Sequence, residues 1–330
     1  MSEEEAAAFC MLSPDQILNA IEAQGYPCDG HLLALNSYEN RVYQVGIEDG
    51  ETLIAKFYRP ERWSDKAILE EHGFSDELDR QEIPVVSPLR DHSGCSLFYQ
   101  GPFRFALYPR RGGRAPDLED PEQLEQLGRL VARIHNVGAS QAFLSRPRLT
   151  IESFGIKSYQ YLLEAGHIPP ELQTPYRTLA ESLLEQIQIS FDRAGDVTRL
   201  RLHGDLHPGN LLWNDTGPHI VDLDDARMGP AIQDLWMFLS GDRLYASARL
   251  ADLLEGYTQF RDFNPRELHL IEPLRTLRMM HYAAWIARRW KDPAFPRAFP
   301  HFGSANFWGE HILTLREQAA ALDEPTLVWD

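Results

Sequence analysis

Apolar positions recur along the chain with two periods, and the switches between them divide it into segments. Ser13 to Gln24 sets Ile17, Leu18 and Ile21 on one face behind a capping serine and Pro14, which predicts a short amphipathic helix stopped by Gly25. Strand-like runs follow at His31 to Leu35, Arg41 to Gly46 and Thr52 to Tyr58. The polar stretch Asn36 to Asn40 separates the first pair, and Glu48-Asp49-Gly50 the second. A helix is predicted over Asp65 to Leu78 and a last strand over Phe103 to Pro109. Arg110-Arg111-Gly112-Gly113-Arg114 breaks both periods and reads as a hinge, which places a domain boundary between residues 1–109 and 110–330. Beyond it helical spacing prevails. Leu124, Leu127, Leu130, Val131 and Ile134 form a core face on Pro121 to Val137, and further helices are predicted at Tyr159 to Leu163, Leu179 to Phe191, Ala246 to Phe260, Arg266 to Arg289 and His311 to Leu322.

One stretch interrupts the helical part. Leu200 to Arg227 reads strand, polar loop, strand, and then a hairpin through Asn214-Asp215-Thr216-Gly217 into a return strand His219 to Leu223. This pattern is expected to gather three oxygen-bearing side chains: Asp205, Asn210 and Asp222. An Asp followed five residues later by Asn, and then by an Asp leaving a strand, is the spacing of phosphoryl transfer. Here it reads HGDLHPGN followed by DLD. In that chemistry the loop Asp accepts the proton of an incoming hydroxyl. The Asn and the second Asp give hard oxygens to a magnesium ion that bridges the nucleotide's phosphates. Lys56, in Leu53-Ile54-Ala55-Lys56-Phe57, matches the strand lysine that reaches the phosphates and pairs with a glutamate on the next helix; Glu70 and Glu71 are both candidates for that partner. Asp224 is open to metal contact or to pairing with Arg227, and Asp234 to bracing the loop or to simple helix-start placement. His207 is read as structural, and His135 as packed or surface rather than ligating.

The blocks NSYENRVYQ (36–44), KFYRPERW (56–63), ILEEH (68–72), HGDLHPGN (203–210), VDLDDAR (221–227), QDLWM (233–237), IEPLR (271–275) and DPAFP (292–296) resemble kinases of the aminoglycoside phosphotransferase and choline kinase type. Within that superfamily they are most similar to a family of bacterial serine/threonine protein kinases of the stress response. The resemblance implies an α+β, protein-kinase-like fold of two lobes, a small antiparallel sheet lobe for the nucleotide and a larger, mainly helical lobe. It implies Asp205 as base, with Asp222 also catalytic, Asn210 and Asp222 on magnesium, and Lys56 on the phosphates of ATP. The loop 36–40 stands where a glycine-rich loop is expected and has no glycine. Its turn amides and the Ser37 hydroxyl are candidate phosphate contacts, with a plain polar hairpin as the other reading. Few residues separate Asp222 from Gly229-Pro230, so there is no room for the long activation segment of ordinary protein kinases.

Composition then narrows the setting. Of 330 residues, 49 are acidic and 32 basic, a net charge of −17 that opposes binding to nucleic acid or an anionic membrane. The three cysteines, Cys10, Cys28 and Cys95, form no C-x-x-C pair, so neither a disulfide framework nor a zinc site is indicated. The acidic start Ser2-Glu3-Glu4-Glu5 is unlike a secretion signal, and no run of about 18 apolar residues exists to span a bilayer. These features predict a cytoplasmic protein, taken as a monomer. The expected activity is ATP- and magnesium-dependent transfer to serine or threonine on protein, its own chain included. The alternatives are a small alcohol as acceptor, such as an aminoglycoside, choline or homoserine, and a non-catalytic pseudokinase; the latter predicts loss of Lys56, Asp205, Asn210 or Asp222, and none is lost.

Overall fold

A computed structural model describes residues 12–48 and 50–329. The acidic N-terminus, Cys10 and Asp49 lie outside the described residues. The described chain forms two compact units that alternate along the sequence. One comprises the residues up to Pro116, Phe143–Arg146 and Gly209–Asp225; the other comprises Asp117–Ala142, Pro147–Pro208 and the residues from Ala226 on.

The first unit is built on a five-stranded antiparallel sheet. Helix α1 (Pro14–Glu22) opens it with a capping box: the Ser13 hydroxyl accepts the Gln16 N–H, and the Gln16 side chain accepts the Ser13 N–H. Strands β1 (Cys28–Ala34), β2 (Arg41–Ile47) and β3 (Thr52–Phe57) lead to helix α2 (Asp65–Arg80), and β4 (Phe98–Gln100) and β5 (Phe103–Pro109) complete the order β1-β2-β3-β5-β4. Alternation along β3 decides what each face carries. Leu53, Ala55 and Phe57 join Ile17, Ile21, Val45, Phe105 and Leu107 in one core. Lys56 points the other way. Its neighbours across the ladder are Val42 and Ala106, and Ala106 packs with Tyr58, Ile68 and Leu97 on the α2 side.

The segment Gly209–Asp225 contributes the expected hairpin, with Leu211–Asn214 paired to Gly217–Ile220 and the turn fixed by Thr216 donating to Asn214 Oδ1. Two backbone seams tie it to the rest of this unit. Ile220 and residues 84–86 exchange hydrogen bonds of 2.8 and 3.0 Å, and Arg114 and Trp213 exchange two more of 2.9 and 2.7 Å. The return strand expected over His219 to Leu223 is shorter, because the backbone turns left-handed at Asp222 (φ 61°) and enters a 3₁₀ turn at Leu223–Asp225.

The second unit is mainly helical: α3 (Pro121–Gly138), α4 (Lys157–Glu164), α5 (Pro170–Ala194), α6 (Arg243–Thr258), α7 (Ile271–Arg288), α8 (Ala294–Ala298) and α9 (Ala305–Asp323). Helices α3 and α6 meet backbone to backbone at Gly128 and Gly256, where a Cβ would fall 2.0 Å from the Leu253 carbonyl and 1.9 Å from that of Glu125. Leu200–Leu202 pairs with Arg227–Gly229, a short strand that the sequence reading did not anticipate. The apolar spacing of Ile232 to Leu239 fits a helix, yet the segment forms two 3₁₀ turns, Ala231–Asp234 and Trp236–Phe238. The reason is local: Gln233, Asp234 and Trp236 are all buried and committed to side-chain hydrogen bonds described below, which a regular helix would not satisfy. Among the described residues no helix is long and apolar enough to cross a membrane.

Candidate active site

In the first unit Lys56 is the centre of a buried charge cluster. Its ammonium lies 2.9 Å from Asp222 Oδ1, 3.2 Å from Asp224 Oδ1 and 3.6 Å from Glu71 Oε1. Burial alone would push the Lys56 ammonium down, but the three carboxylates outweigh it and hold the group well above the usual lysine range. The cluster therefore keeps a positive charge in the sheet's interior at any physiological pH. Burial pushes the Glu71 carboxyl up, against the pull of Lys56 and Arg146. Asp224, also buried, is driven up by burial and further down by Arg62 and Lys56, and ends below the usual carboxylate range.

The choice between Glu70 and Glu71 is resolved. Glu71 faces Lys56 from α2, while Glu70 accepts three backbone N–H groups, from Leu144, Ser145 and Arg146, at 2.7 to 2.8 Å. Glu70 thus pins the segment that supplies Arg146. The Arg146 guanidinium donates to Glu71 Oε2 at 3.2 Å and to the Asp224 carbonyl, joining the helix to the Asp222–Asp225 turn. Behind Lys56, Tyr58 bonds His72 Nε2 at 2.7 Å and Tyr108 at 3.0 Å, and His72 Nδ1 bonds Ser96 at 2.8 Å. Burial lowers His72 to about 3, so it serves this network as a neutral ring.

Asp222 differs from its neighbours in being accessible: 54% of its side chain is exposed, against 4% for Asp224. A non-glycine residue at φ 61° is uncommon and costs about 1–2 kcal/mol, so the aim of this carboxylate is imposed by its surroundings. The Val221 N–H donates to the Asn210 carbonyl at 3.1 Å, which sets Asn210 beside the turn that carries Asp222. Among the described residues no three His, Cys, Asp or Glu side chains gather as a metal cage. A magnesium ion does not require one, because it keeps several waters and takes one or two carboxylate or amide oxygens with substrate phosphates. An accessible carboxylate and an amide on adjoining turns suit that mode of binding. Ser37 sits half-buried in the connection between β1 and β2.

The second unit holds the Asp205 loop. Asp234 receives the His203 N–H on Oδ2 and the Gly204 N–H on Oδ1, both at 2.8 Å, so the carboxylate braces the loop. Gln233 donates to the Gly204 carbonyl at 3.0 Å and is itself held by the Trp236 indole N–H. His135, fully buried, bridges Asp234 and Tyr257, which makes it a packing and bracing residue. With Gly204 at φ 84° the chain turns sharply there and leaves Asp205 22% exposed at its side chain. Arg278 of α7 donates to Asp205 Oδ1, and His207 Nε2 lies 3.7 Å from Oδ2.

Arg62, Arg146, Arg278 and Gln233 belong to these networks although the sequence assigns none of them a role. Arg62 lay inside the KFYRPERW block, and Arg278 sits on a helix face where a cation ordinarily signals solvent.

The family model of the phosphotransferase enzyme family, abbreviated APH, matches residues 31–271, and the chain belongs to that family. More particularly, it is 43% identical over 322 residues to stress response kinase A of Escherichia coli O157:H7, across 98% of this chain and 97% of the relative. It is 41% identical over 324 residues to the serine/threonine protein kinase RdoA of Salmonella typhimurium strain LT2, across 98% of each. Among solved structures, a microcompartment-associated aminopropanol kinase superposes with a TM-score of 0.69 at 17% identity, over 92% of this chain and 96% of its own. The amicoumacin kinase hAmiN, solved with AMP-PNP, Ca2+ and Ami, superposes with a TM-score of 0.67 at 19% identity, over 86% and 91%. The fold is therefore that of the APH and choline kinase-like kinases, as the sequence motifs imply.

Proposed function

We propose that this protein transfers the γ-phosphoryl group of ATP, with magnesium, to serine or threonine hydroxyls on protein, its own chain included, as part of a bacterial stress response. The observation that carries the reading is the buried Lys56, paired with Glu71 on one side and with the accessible Asp222 on the other. Such a lysine offers a fixed positive charge for phosphate oxygens and needs no reorganisation when they arrive. In this reading Asn210 and Asp222 hold the metal, Lys56 meets the phosphates, and Ser37 with its loop amides adds phosphate contacts. Magnesium, when bound, neutralises charge on the phosphates and so favours a loose transition state. Asp205 accepts the proton of the acceptor hydroxyl as its oxygen forms a bond to the γ-phosphorus and the bond to the β–γ bridging oxygen breaks, releasing ADP. Arg278 orients the Asp205 carboxylate, and Asp234 and Gln233 keep the loop rigid.

The name and 41% identity of the RdoA relative support a protein acceptor, and the charge of −17 suits a neutral or basic protein segment in the cytoplasm. One observation favours a small alcohol instead. Only three residues separate the 3₁₀ turn ending at Asp225 from Gly229, so the peptide platform of ordinary protein kinases has no counterpart here. Purified protein incubated with labelled ATP and magnesium, alone, with candidate proteins and with a panel of alcohols, tests the two against each other by mass spectrometry. Phosphoserine or phosphothreonine is the expected product. Label found solely on a small alcohol overturns the protein-kinase reading.

A further inference from the structure

The glycine-free loop 36–40 is held from outside by two arginines of one turn. Arg59 donates from Nε to the Glu39 carbonyl at 2.9 Å and from its terminal nitrogen to the Tyr38 carbonyl at 3.0 Å, and its backbone N–H reaches Asn40 Oδ1 at 3.1 Å. Arg62 shares the loop's Glu39 carboxylate with Arg59, whose Nε lies 3.2 Å from Glu39 Oε1. The Arg62 guanidinium lies 3.6 Å from Glu39 Oε1, donates to Asp224 Oδ2 and meets Asp225 Oδ1 at 2.9 Å. Three carboxylates from two separate segments thus converge on a single cation whose side chain is 10% exposed. The turn that presents it passes through a left-handed φ of 60° at Glu61, a costly conformation for glutamate. Arg62 and Arg146 both lie over the Trp63 ring, at 5.0 and 4.5 Å from its centroid, which fixes the plane of the fork.

An ion cluster this buried adds little stability over apolar packing of the same volume, so stability alone does not account for it. What it does geometrically is join the loop to the turn that carries Asp222. We propose that Arg62 is a positioning residue for the nucleotide: through Glu39 it latches the loop 36–40 to the Asp222–Asp225 turn, so that the phosphate-facing backbone is set by an ionic latch. A glycine-rich loop reaches phosphate because its backbone is free to do so. A loop without glycine must be given its conformation by its neighbours, and here Arg59 and Arg62 give it. The inference rests on the kinase reading above and adds to it the residue that shapes the nucleotide site.

Two full-length variants test it. Arg62→Lys keeps a charge against Asp224 but loses the fork. Glu39→Gln alters the loop side alone and leaves the buried carboxylates of the turn paired, so it reports even if the first variant folds poorly. Hydrogen exchange on nucleotide-free protein should speed up by about tenfold at the amides of residues 36–40 in both variants, with α1 unchanged. With ATP and magnesium, KM for ATP should rise by about tenfold while kcat stays within about threefold, and the double variant should be no worse than the poorer single one. Parental exchange at 36–40 in folded variants, or KM effects that multiply in the double variant, overturn the latch. A parent protein that neither binds nor turns over ATP fails the kinase reading by itself. The exchange comparison contains no nucleotide and still decides whether the latch exists.

Discussion

Lys56 Nζ and Asp222 Oδ1 stand 2.9 Å apart, joining the third strand of the sheet to a turn 166 residues further along the chain. Lys56→Met would leave Asp224 with Arg62 and Glu71 with Arg146 but remove their shared cation, so it is expected to lower stability by about 1–3 kcal/mol as well as nucleotide affinity. Lys56→Arg keeps the charge and should recover much of the stability but little of the activity, because a planar fork cannot occupy the position of a compact ammonium. Denaturant melts alongside ATP-dependent transfer separate the two effects.

Asp205→Ala should lower transfer by about 100-fold to 10,000-fold while ATP still raises the melting temperature as in the parent. The partner left behind, Arg278, is 40% exposed at its side chain and finds water, so the fold should hold. Parental turnover in a well-folded variant would remove Asp205 from the mechanism.

Removing Asp222 is expected to act differently, on binding and transfer together. In a thermal-shift titration, Asp222→Ala should lose the part of the ATP-induced shift that depends on magnesium, and Asn210→Ala should lose less of it. A magnesium-dependent shift of parental size in Asp222→Ala would place the metal on other residues.

The brace beneath the Asp205 loop can be tested without touching the loop. Asp234→Ala strips the acceptors from the His203 and Gly204 amides, two buried donors, and should cost about 2–4 kcal/mol. Asp234→Asn returns one acceptor and should lie between. Urea melts, read with transfer rates, should show activity falling further than the small unfolded fraction explains.

Glu267, in the helical unit, offers a pH test. It is buried and accepts the Ile232 N–H at 2.9 Å, and burial raises its carboxyl from 4.5 to about 7, with Arg261 pulling the other way. Between those values the folded protein binds more protons at this group than the unfolded chain, so its contribution to stability declines as pH rises from about 4.5 to about 7. The full penalty, about 3 kcal/mol, applies above that window. Glu267→Gln should flatten this decline, a result that melting temperatures measured from pH 5 to 8 would show.

The candidate residues were legible because the chemistry proposed for them depends on spacing. Asp205, Asn210 and Asp222 announce themselves by separation along the chain, and the hairpin between the last two follows from a turn sequence flanked by apolar runs. The Lys56 partner could have been chosen as well. Ile68, Glu71, Phe74, Ser75 and Leu78 all lie on the buried side of α2, and Glu70 falls off that stripe. Arg62 and Arg146 gave no such signal, since Asp224 lies 162 residues from the first and Glu71 lies 75 residues from the second, and an arginine in a polar turn ordinarily means solvent. The 3₁₀ segment around Asp234 was hidden for a similar reason. Its apolar residues fit a helix, and only the buried hydrogen bonds of Gln233 and Asp234 make it tighter.

The seams that bond Ile220 to residues 84–86 and Trp213 to Arg114 have a consequence during synthesis. The sheet unit contains its own hairpin only after Asp225 has been made, some two-thirds of the way along a chain of 330 residues. A ribosome therefore delivers the five strands long before the segment that closes the Lys56 cluster, and the nascent sheet must wait with Lys56 lacking Asp222 and Asp224. Translation pauses before residue 225 should prolong a protease-sensitive intermediate, and fragments ending at Pro116 should depend on a chaperone or on the missing hairpin supplied as a peptide.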